Sequence, residues 1–193
     1  GVDDDANGYV DDISGWDFMW NDNDPYDDTR FGHGTGEAGD SVAEGNDGGD
    51  IGVCPNCAAL MVRIGDSFVV EVNNWALGVI FAVDSGAKVI QMAIGSINNS
   101  SFARDAIEYA WEKGVTIIAS AADETSYHTN FPSANHHTSY VHAIVYDGEG
   151  EEDATTYLNF SNCTNFGARL NLSAGTHGCS SGATGVTSGI AGL

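Results

Sequence analysis

The fold is decided by the stretch at residues 89–95, which reads VIQMAIG. This short, mostly apolar run ends on a glycine and predicts a strand at residues 88–94, because its length is typical of a buried strand rather than of a helix. Apolar side chains recur at helical spacing on both sides of it, in residues 70–84 and 102–113. A buried strand between two amphipathic helices is typical of parallel sheets whose strands are joined by helices.

The same alternation extends over residues 59–146. Further strands are predicted at residues 59–64, 116–121 and 142–146, each apolar enough for a sheet that is buried on both faces. Gly86 and Gly114 follow the two predicted helices and mark their ends. The pattern predicts an α/β fold in a single domain over residues 1–193, because neither a linker nor an internal repeat divides the chain.

The chain is strongly acidic, with 28 Asp and Glu against six Lys and Arg and a formal net charge of -22. This charge repels nucleic acid phosphates and anionic lipids, so we exclude nucleic acid and expect a protein or peptide partner. No stretch reaches the ~18 to 20 apolar residues that a membrane-spanning helix needs. The repulsion between these carboxylates is reduced either by a bound hard divalent cation such as calcium or by solvation alone.

Residues 1–30 form an acidic region rich in Asp, Asn and Gly, a composition typical of loops. Acidic and amide side chains recur there at alternate positions before Gly8, as they do at the start of a calcium-binding loop. The full twelve-residue pattern is not met, because Ser14 stands where a bidentate Glu belongs. We predict a calcium site here, with a solvated acidic turn as the alternative. The predicted ligands are Asp3, Asp5, Asn7, the Tyr9 carbonyl and Asp12.

The four cysteines fall into two groups, Cys54 with Cys57 and Cys163 with Cys179. The first group is compatible with half of a zinc site, a redox pair or a local disulfide, of which we expect the disulfide. The second group is a candidate for another bridge. Together with the acidity, five Asn-x-Ser/Thr glycosylation acceptors favour a secreted glycoprotein at an extracellular or cell-surface location. The acceptors are Asn98, Asn99, Asn159, Asn162 and Asn171.

A histidine lies between glycines in FGHGTGEAG at residues 31–39, at the start of an amphipathic run. His33 in this setting is suited to act as a general base, although a lone histidine is more often structural. It is followed in order by GVCPNCA at 52–58, VIQMAIG at 89–95, the segment 114–124, NFSN at 159–162 and the segment 181–193. This succession resembles the subtilases, the subtilisin-like serine peptidases, over nearly the whole chain.

The resemblance implies a subtilisin-like three-layer fold, with a mostly parallel central sheet and helices on both faces. It also implies a site in which a His takes the proton of a hydroxyl nucleophile, an acid orients that His, and donors stabilise the oxyanion. His33 stands at the family's His position. The family's acid lies on a strand upstream of the Asp-rich loop in which this chain begins.

Two positions depart from the family's pattern. Counting back without a gap from IAGL at 190–193 places Thr184 where the family has its nucleophilic serine, and Ser180 or Ser181 takes that place only through a shift of the alignment. Asp123 stands where the family has the asparagine that donates to the oxyanion, and an ionised carboxylate only accepts hydrogen bonds. We therefore predict a pseudoenzyme with a binding or structural role. The alternative is an active serine endopeptidase that is completed by an N-terminal fragment carrying the acid.

The resemblance further implies a partner for the sheet. In the subtilase fold the strand that carries the acid lies in the middle of the parallel sheet, and an empty slot there would leave backbone groups unpaired. We expect a complementing N-terminal segment or a strand from a neighbouring subunit in an assembly to fill it.

Overall fold

The computed structural model describes residues 1–28, 32–46, 48–67, 70–96, 98–144, 163–167, 171–176 and 178–193. Three predictions lie wholly or partly outside these residues: the end of the strand at 142–146, the NFSN motif at 159–162, and the acceptors Asn159 and Asn162. In chain order the described elements are β1 (Gly15–Asp17), α1 (His33–Val42), β2 (Met61–Arg63), α2 (Val72–Asp84), β3 (Val89–Met92), α3 (Ser101–Glu112), β4 (Thr116–Ser120), β5 (Thr138–Ile144), β6 (Leu172–Gly175) and α4 (Ser180–Gly192).

The strands form two parallel sheets within the described residues. One sheet pairs β1 with β2, and the other has the order β3-β4-β5-β6. Each connection between neighbours of the larger sheet that is described in full crosses over through a helix or a long loop, as parallel pairing requires. The predicted α/β class with a mostly parallel sheet is confirmed.

Helices cover both faces of the larger sheet. Ile117 and Ala119 of β4 lie in the cluster formed with α2 and α3. Ile118, between them in sequence, packs with Ala183 of α4 on the opposite face. This alternation follows from the two-residue period of a strand, and it explains why the strand is apolar at successive positions. The predicted three-layer arrangement is confirmed.

The two central helices begin and end close to the predicted residues. The Glu71 carboxylate caps α2 by accepting hydrogen bonds from the backbone of residues 73 and 74, both at 2.9 Å. The Ser100 hydroxyl caps α3 by accepting from Ala103 N at 3.1 Å. Gly86 and Gly114 follow these helices with φ of 89° and 74°, a left-handed conformation that glycine adopts without steric cost.

Both expected cysteine pairs are disulfides, Cys54–Cys57 and Cys163–Cys179. None of the helices described is long and apolar enough to cross a membrane.

Candidate active site

The site lies where the first turns of α1 and α4 meet. His33 is the first residue of α1 and Ser181 is the second residue of α4. The Nε2 atom of His33 is 3.1 Å from the Ser181 hydroxyl oxygen, which is direct hydrogen-bonding distance. An imidazole and a hydroxyl, the two groups that a base-activated nucleophile requires, are therefore brought together from positions 148 residues apart in the chain.

Glycines on one face of α4 permit the close approach of the two helices. A Cβ atom at Gly185 would lie 2.8 Å from the Asp40 Cβ and 3.1 Å from the Glu37 carbonyl oxygen. The Ser41 hydroxyl of α1 donates to the Gly185 carbonyl at 2.8 Å. Gln91 of β3 completes the anchor, because its side-chain amide donates to the Glu37 carbonyl at 2.9 Å. The distance between His33 and Ser181 is thus fixed by helix packing against the sheet.

Thr184, which the ungapped count places at the family's nucleophile position, makes its hydrogen bond within α4. This side chain is fully buried one turn further along α4, and its hydroxyl donates to the Ser180 carbonyl at 2.7 Å. Threonine commonly makes this backbone contact within a helix. Ser181, which the shifted alignment places at the family's nucleophile position, is the residue whose hydroxyl lies beside His33. The sequence alone allows both alignments, because the helix is rich in Gly, Ala, Ser and Thr, and these small residues match the family's motif in more than one register.

Asp123 lies beside the start of α4, and its carboxylate accepts hydrogen bonds there. The Asp123 Oδ1 atom accepts from Ser180 N at 3.0 Å and from the Ser180 hydroxyl at 2.6 Å. A carboxylate at a helix N-terminus satisfies a free backbone donor and interacts favourably with the helix dipole. In this structure Asp123 anchors the start of α4 rather than donating to an oxyanion.

Asn165 supports this corner of the site, and nothing in the sequence indicated that it would. It is fully buried, and its side-chain oxygen accepts from Glu124 N at 3.1 Å and Ser126 N at 3.2 Å. Its side-chain amide also donates to the Glu124 carboxylate. The Cys163–Cys179 disulfide joins the segment carrying Asn165 to the residue that precedes α4. The segment that carries Asn165 is therefore hydrogen-bonded to the loop after Asp123 and joined by a disulfide to the start of α4.

A second carboxyl group faces the site. Glu37 lies one turn after His33 on α1, and its Oε1 atom is 3.5 Å from His33 Nε2. Burial, reinforced by the nearby Asp40 and Asp123, raises the pKa of Glu37 to about 7. Burial lowers the pKa of His33, whereas Asp123 and Asp27 act on it in the opposite direction. No signal in the sequence marked Glu37, since a single Glu within a helix is usually on its solvated face.

The predicted calcium loop brings together part of its ligand set. The Asn7 side-chain amide nitrogen donates to Asp12 Oδ2 at 2.8 Å and to Asp5 Oδ2 at 3.2 Å. Asp3 instead accepts from the backbone of residues 7 and 8. Across the described part of the chain, no group of three or more His, Cys, Asp or Glu side chains is arranged to hold a metal ion. The two carboxylates have the hard oxygen chemistry that calcium prefers, whereas the Asn7 amide turns its nitrogen towards them and its oxygen towards Tyr9 N, at 2.8 Å.

Comparison with known proteins gives a consistent family assignment. The sequence model of the subtilase family matches residues 2–193. Thermitase from Thermoactinomyces vulgaris is 31% identical over 166 residues, covering 84% of this chain and 54% of that protein. The thermophilic serine proteinase of Bacillus sp. strain AK1 is 36% identical over 134 residues, covering 68% of this chain and 33% of that protein. The chain thus spans about half or less of the length of these curated relatives.

Solved structures agree on the fold. Sphericase superimposes with a TM-score of 0.67 at 23% identity, covering 84% of this chain and 63% of that one. The prenylagaramide maturation protease PagA superimposes with a TM-score of 0.67 at 19% identity, covering 83% of this chain and 62% of that one.

Proposed function

Because the chain belongs to the subtilase family of serine peptidases, we propose that it hydrolyses peptide bonds, with Ser181 as the nucleophile and His33 as the general base. The observation that carries this proposal is the 3.1 Å separation of His33 Nε2 and the Ser181 hydroxyl oxygen. That distance allows direct proton transfer. It favours the endopeptidase alternative over the pseudoenzyme that the sequence first suggested.

The chemistry follows from this pair of residues. The Ser181 oxygen bonds to the carbonyl carbon of the substrate while its proton moves to His33 Nε2, and the carbonyl oxygen becomes an oxyanion. His33 then gives this proton to the departing amine as the carbon–nitrogen bond breaks. Water hydrolyses the acyl-enzyme by the same steps in reverse. The backbone N–H of Ser181 lies in the first turn of α4, where the helix leaves N–H groups free of intrahelical acceptors, and we assign it as an oxyanion donor.

The acid that orients His33 is proposed to come from a strand that inserts between the two sheets. Among the described strands, none pairs with the second edge of β2 or of β3. The residues of β2 and most of β3 are only half-buried, whereas β4, which has a neighbour on each side, is buried at four of its five positions. A parallel strand between β2 and β3 would satisfy both edges and join the sheets. The expected donor is an N-terminal segment of the same precursor or a neighbouring subunit.

A binding or structural role is the second candidate, and Asp123 is the observation that favours it. An ionised carboxylate that anchors α4 beside Ser181 would repel the oxyanion that the reaction creates. A protein with this arrangement would retain peptide binding and lose turnover. The two candidates therefore differ in whether Ser181 reacts.

Calcium is proposed to replace the amide contacts of the loop at residues 3–12. Asp5 and Asp12 both accept from the Asn7 side-chain nitrogen, so these two carboxylates lie near each other and are the proposed oxygen ligands, whereas the Asn7 oxygen accepts from Tyr9 N at 2.8 Å. Calcium at millimolar concentration should raise the melting temperature, since binding to the folded state alone stabilises it. The Asp12→Asn variant should lose this rise and Asp105→Asn, on α3, should keep it. An unchanged melting temperature in the unsubstituted protein would contradict the site.

The protein is also proposed to act outside the cytoplasm as a glycoprotein. Two disulfides support an oxidising compartment. Asn98, Asn99 and Asn171 are the proposed acceptors within the described residues.

The test of the proposed reaction is hydrolysis of a fluorogenic peptide by the protein expressed with whatever sequence flanks residues 1–193 in its gene. Ser181→Ala and His33→Ala should each reduce kcat/KM by at least about 10³-fold, because the members of such a unit act together. Ser180→Ala, which removes the neighbouring hydroxyl, should remain active. Loss of activity in Ser180→Ala with full activity in Ser181→Ala would contradict the assignment.

A further inference from the structure

Glu37 occupies a position beside the reacting pair that the mechanism above does not use. Its Oε1 atom is 3.5 Å from His33 Nε2, the same nitrogen that contacts Ser181. Its side chain is 15% exposed, and its Oε2 atom is buried with no hydrogen-bond partner among the described residues. A buried carboxyl oxygen without a partner costs free energy, so a group held this way invites a functional explanation.

Among the described residues, the charged neighbours that act on Glu37 are acidic, and the nearest group that can become cationic is His33. Asp40 lies on the same helix and Asp123 on the loop after β4, and both are negative. The residue that faces the site from α4 is Ser181, and α4 contains no titratable side chain. Gln91 of β3 contacts the Glu37 backbone and is neutral. Within this set, only His33 can carry the positive charge that an ionised Glu37 would stabilise.

We propose that Glu37 is a positioning residue for His33, whose carboxylate stabilises the imidazolium that forms when Ser181 transfers its proton. This inference rests on the proposed function, because it concerns the same proton transfer. The carboxylate acts through space on the Nε2 side of the ring, and it makes His33 a stronger base at the moment of attack. Glu37 itself forms and breaks no bond.

The sign of the pH dependence follows from the two carboxyl states. Above its pKa of about 7, Glu37 is ionised and supports the imidazolium. As the pH falls through 7, Glu37 takes up a proton, becomes neutral, and its support is lost. A second loss follows at lower pH, where His33 itself is protonated, because the pKa of His33 lies below its ordinary value.

The first test compares pH profiles of kcat/KM for the unsubstituted protein and Glu37→Gln, which keeps the shape of the side chain and removes its charge. Above pH 8, kcat/KM of Glu37→Gln should be lower by roughly tenfold. An opposite charge at this distance shifts the pKa of the base by about 1 to 3 units, and the rate of proton transfer changes by a fraction of that shift. Below pH 6 the two profiles should converge. Glu112→Gln, at the end of α3, is the matched control and should follow the unsubstituted profile throughout. The inference would be overturned if kcat/KM of Glu37→Gln equalled that of the unsubstituted protein above pH 8. It would also be overturned if the ratio of the two kcat/KM values were the same at every pH.

The second test does not require turnover. The ring nitrogens of His33, followed by NMR, should titrate in two steps in the unsubstituted protein, because interacting groups titrate as a pair. The step near pH 7 should be absent in Glu37→Gln. Superimposable curves would overturn the role of Glu37 whether or not the protein is a peptidase. If no variant hydrolyses peptides but the step is lost, the proposed function fails and the coupling of Glu37 to His33 stands.

Discussion

Replacement of Asp123 by asparagine should increase peptide hydrolysis, which is an unusual outcome for a change at an active site. The Ser180 backbone and hydroxyl both donate to Asp123 Oδ1, and an asparagine oxygen at the same place accepts both bonds. The amide nitrogen then stands where the second carboxylate oxygen is now. The variant therefore keeps the anchor of α4, removes a negative charge beside Ser181, and adds an N–H donor.

The magnitude follows from what such a donor contributes in an oxyanion hole. One side-chain donor is worth roughly 10² to 10³ in kcat, or about 2.7–4 kcal/mol of transition-state stabilisation. The same change removes a carboxylate from the helix N-terminus, and it should lower the free energy of unfolding by about 0.3–1 kcal/mol. Activity and stability are thus expected to move in opposite directions.

The assay is kcat/KM for a fluorogenic peptide together with thermal unfolding of each protein. Asp105→Asn makes the same change in net charge on α3 and should alter neither quantity measurably. Because the charge of Asp123 helps to raise the pKa of Glu37, Asp123→Asn should lower that pKa. The rise of kcat/KM near pH 7 should therefore occur at lower pH in this variant. An Asp123→Asn variant that is no more active than the unsubstituted protein at any pH would refute the reasoning.

Two further substitutions separate structural contacts from chemical ones. Arg63→Met should lower the free energy of unfolding by about 3–5 kcal/mol, measured by chemical denaturation. The fully buried Asp17 carboxylate, which lies 3.0 Å from the Arg63 guanidinium, would lose its counter-charge. A decrease below about 1 kcal/mol would contradict this reasoning. Thr184→Val removes the hydroxyl that donates to the Ser180 carbonyl, and it should cost about 0.5–1.5 kcal/mol of stability while leaving the reactivity of Ser181 intact. Loss of that reactivity in a folded Thr184→Val variant would indicate that the Thr184 hydroxyl takes part in the reaction.

Sequence periodicity located the central elements because these are fixed by local pattern. The strand predicted at 116–121 is one residue longer at its end than β4 (Thr116–Ser120), and the helix predicted at 102–113 is shifted by one residue at each end from α3 (Ser101–Glu112). β5 begins at Thr138, four residues before the predicted start, because its polar first residues hide its extent. β1 has only three residues and lies among acidic and aromatic loop residues, where no period is visible.

The candidate site was only partly predictable, since it depends on contacts between distant segments. His33 was recognisable from its glycine-flanked motif, whereas the choice between Ser181 and Thr184 required the packing of α4 against α1. The environment of Glu37 is likewise set by long-range neighbours, because burial against α4 and the Asp123 loop determines its pKa. The charge of Asp123 predicts that it accepts hydrogen bonds, but its partner, Ser180, depends on where α4 begins.

The most direct measurement of the central claim is the site of labelling by a fluorophosphonate probe, mapped by mass spectrometry on the protein with its native flanking sequence. Such probes phosphonylate a hydroxyl that is activated by a general base, as the contact between His33 and Ser181 implies. The account predicts stoichiometric modification of Ser181 that is lost in His33→Ala. A folded protein that is not labelled, or one labelled at Thr184, would contradict it.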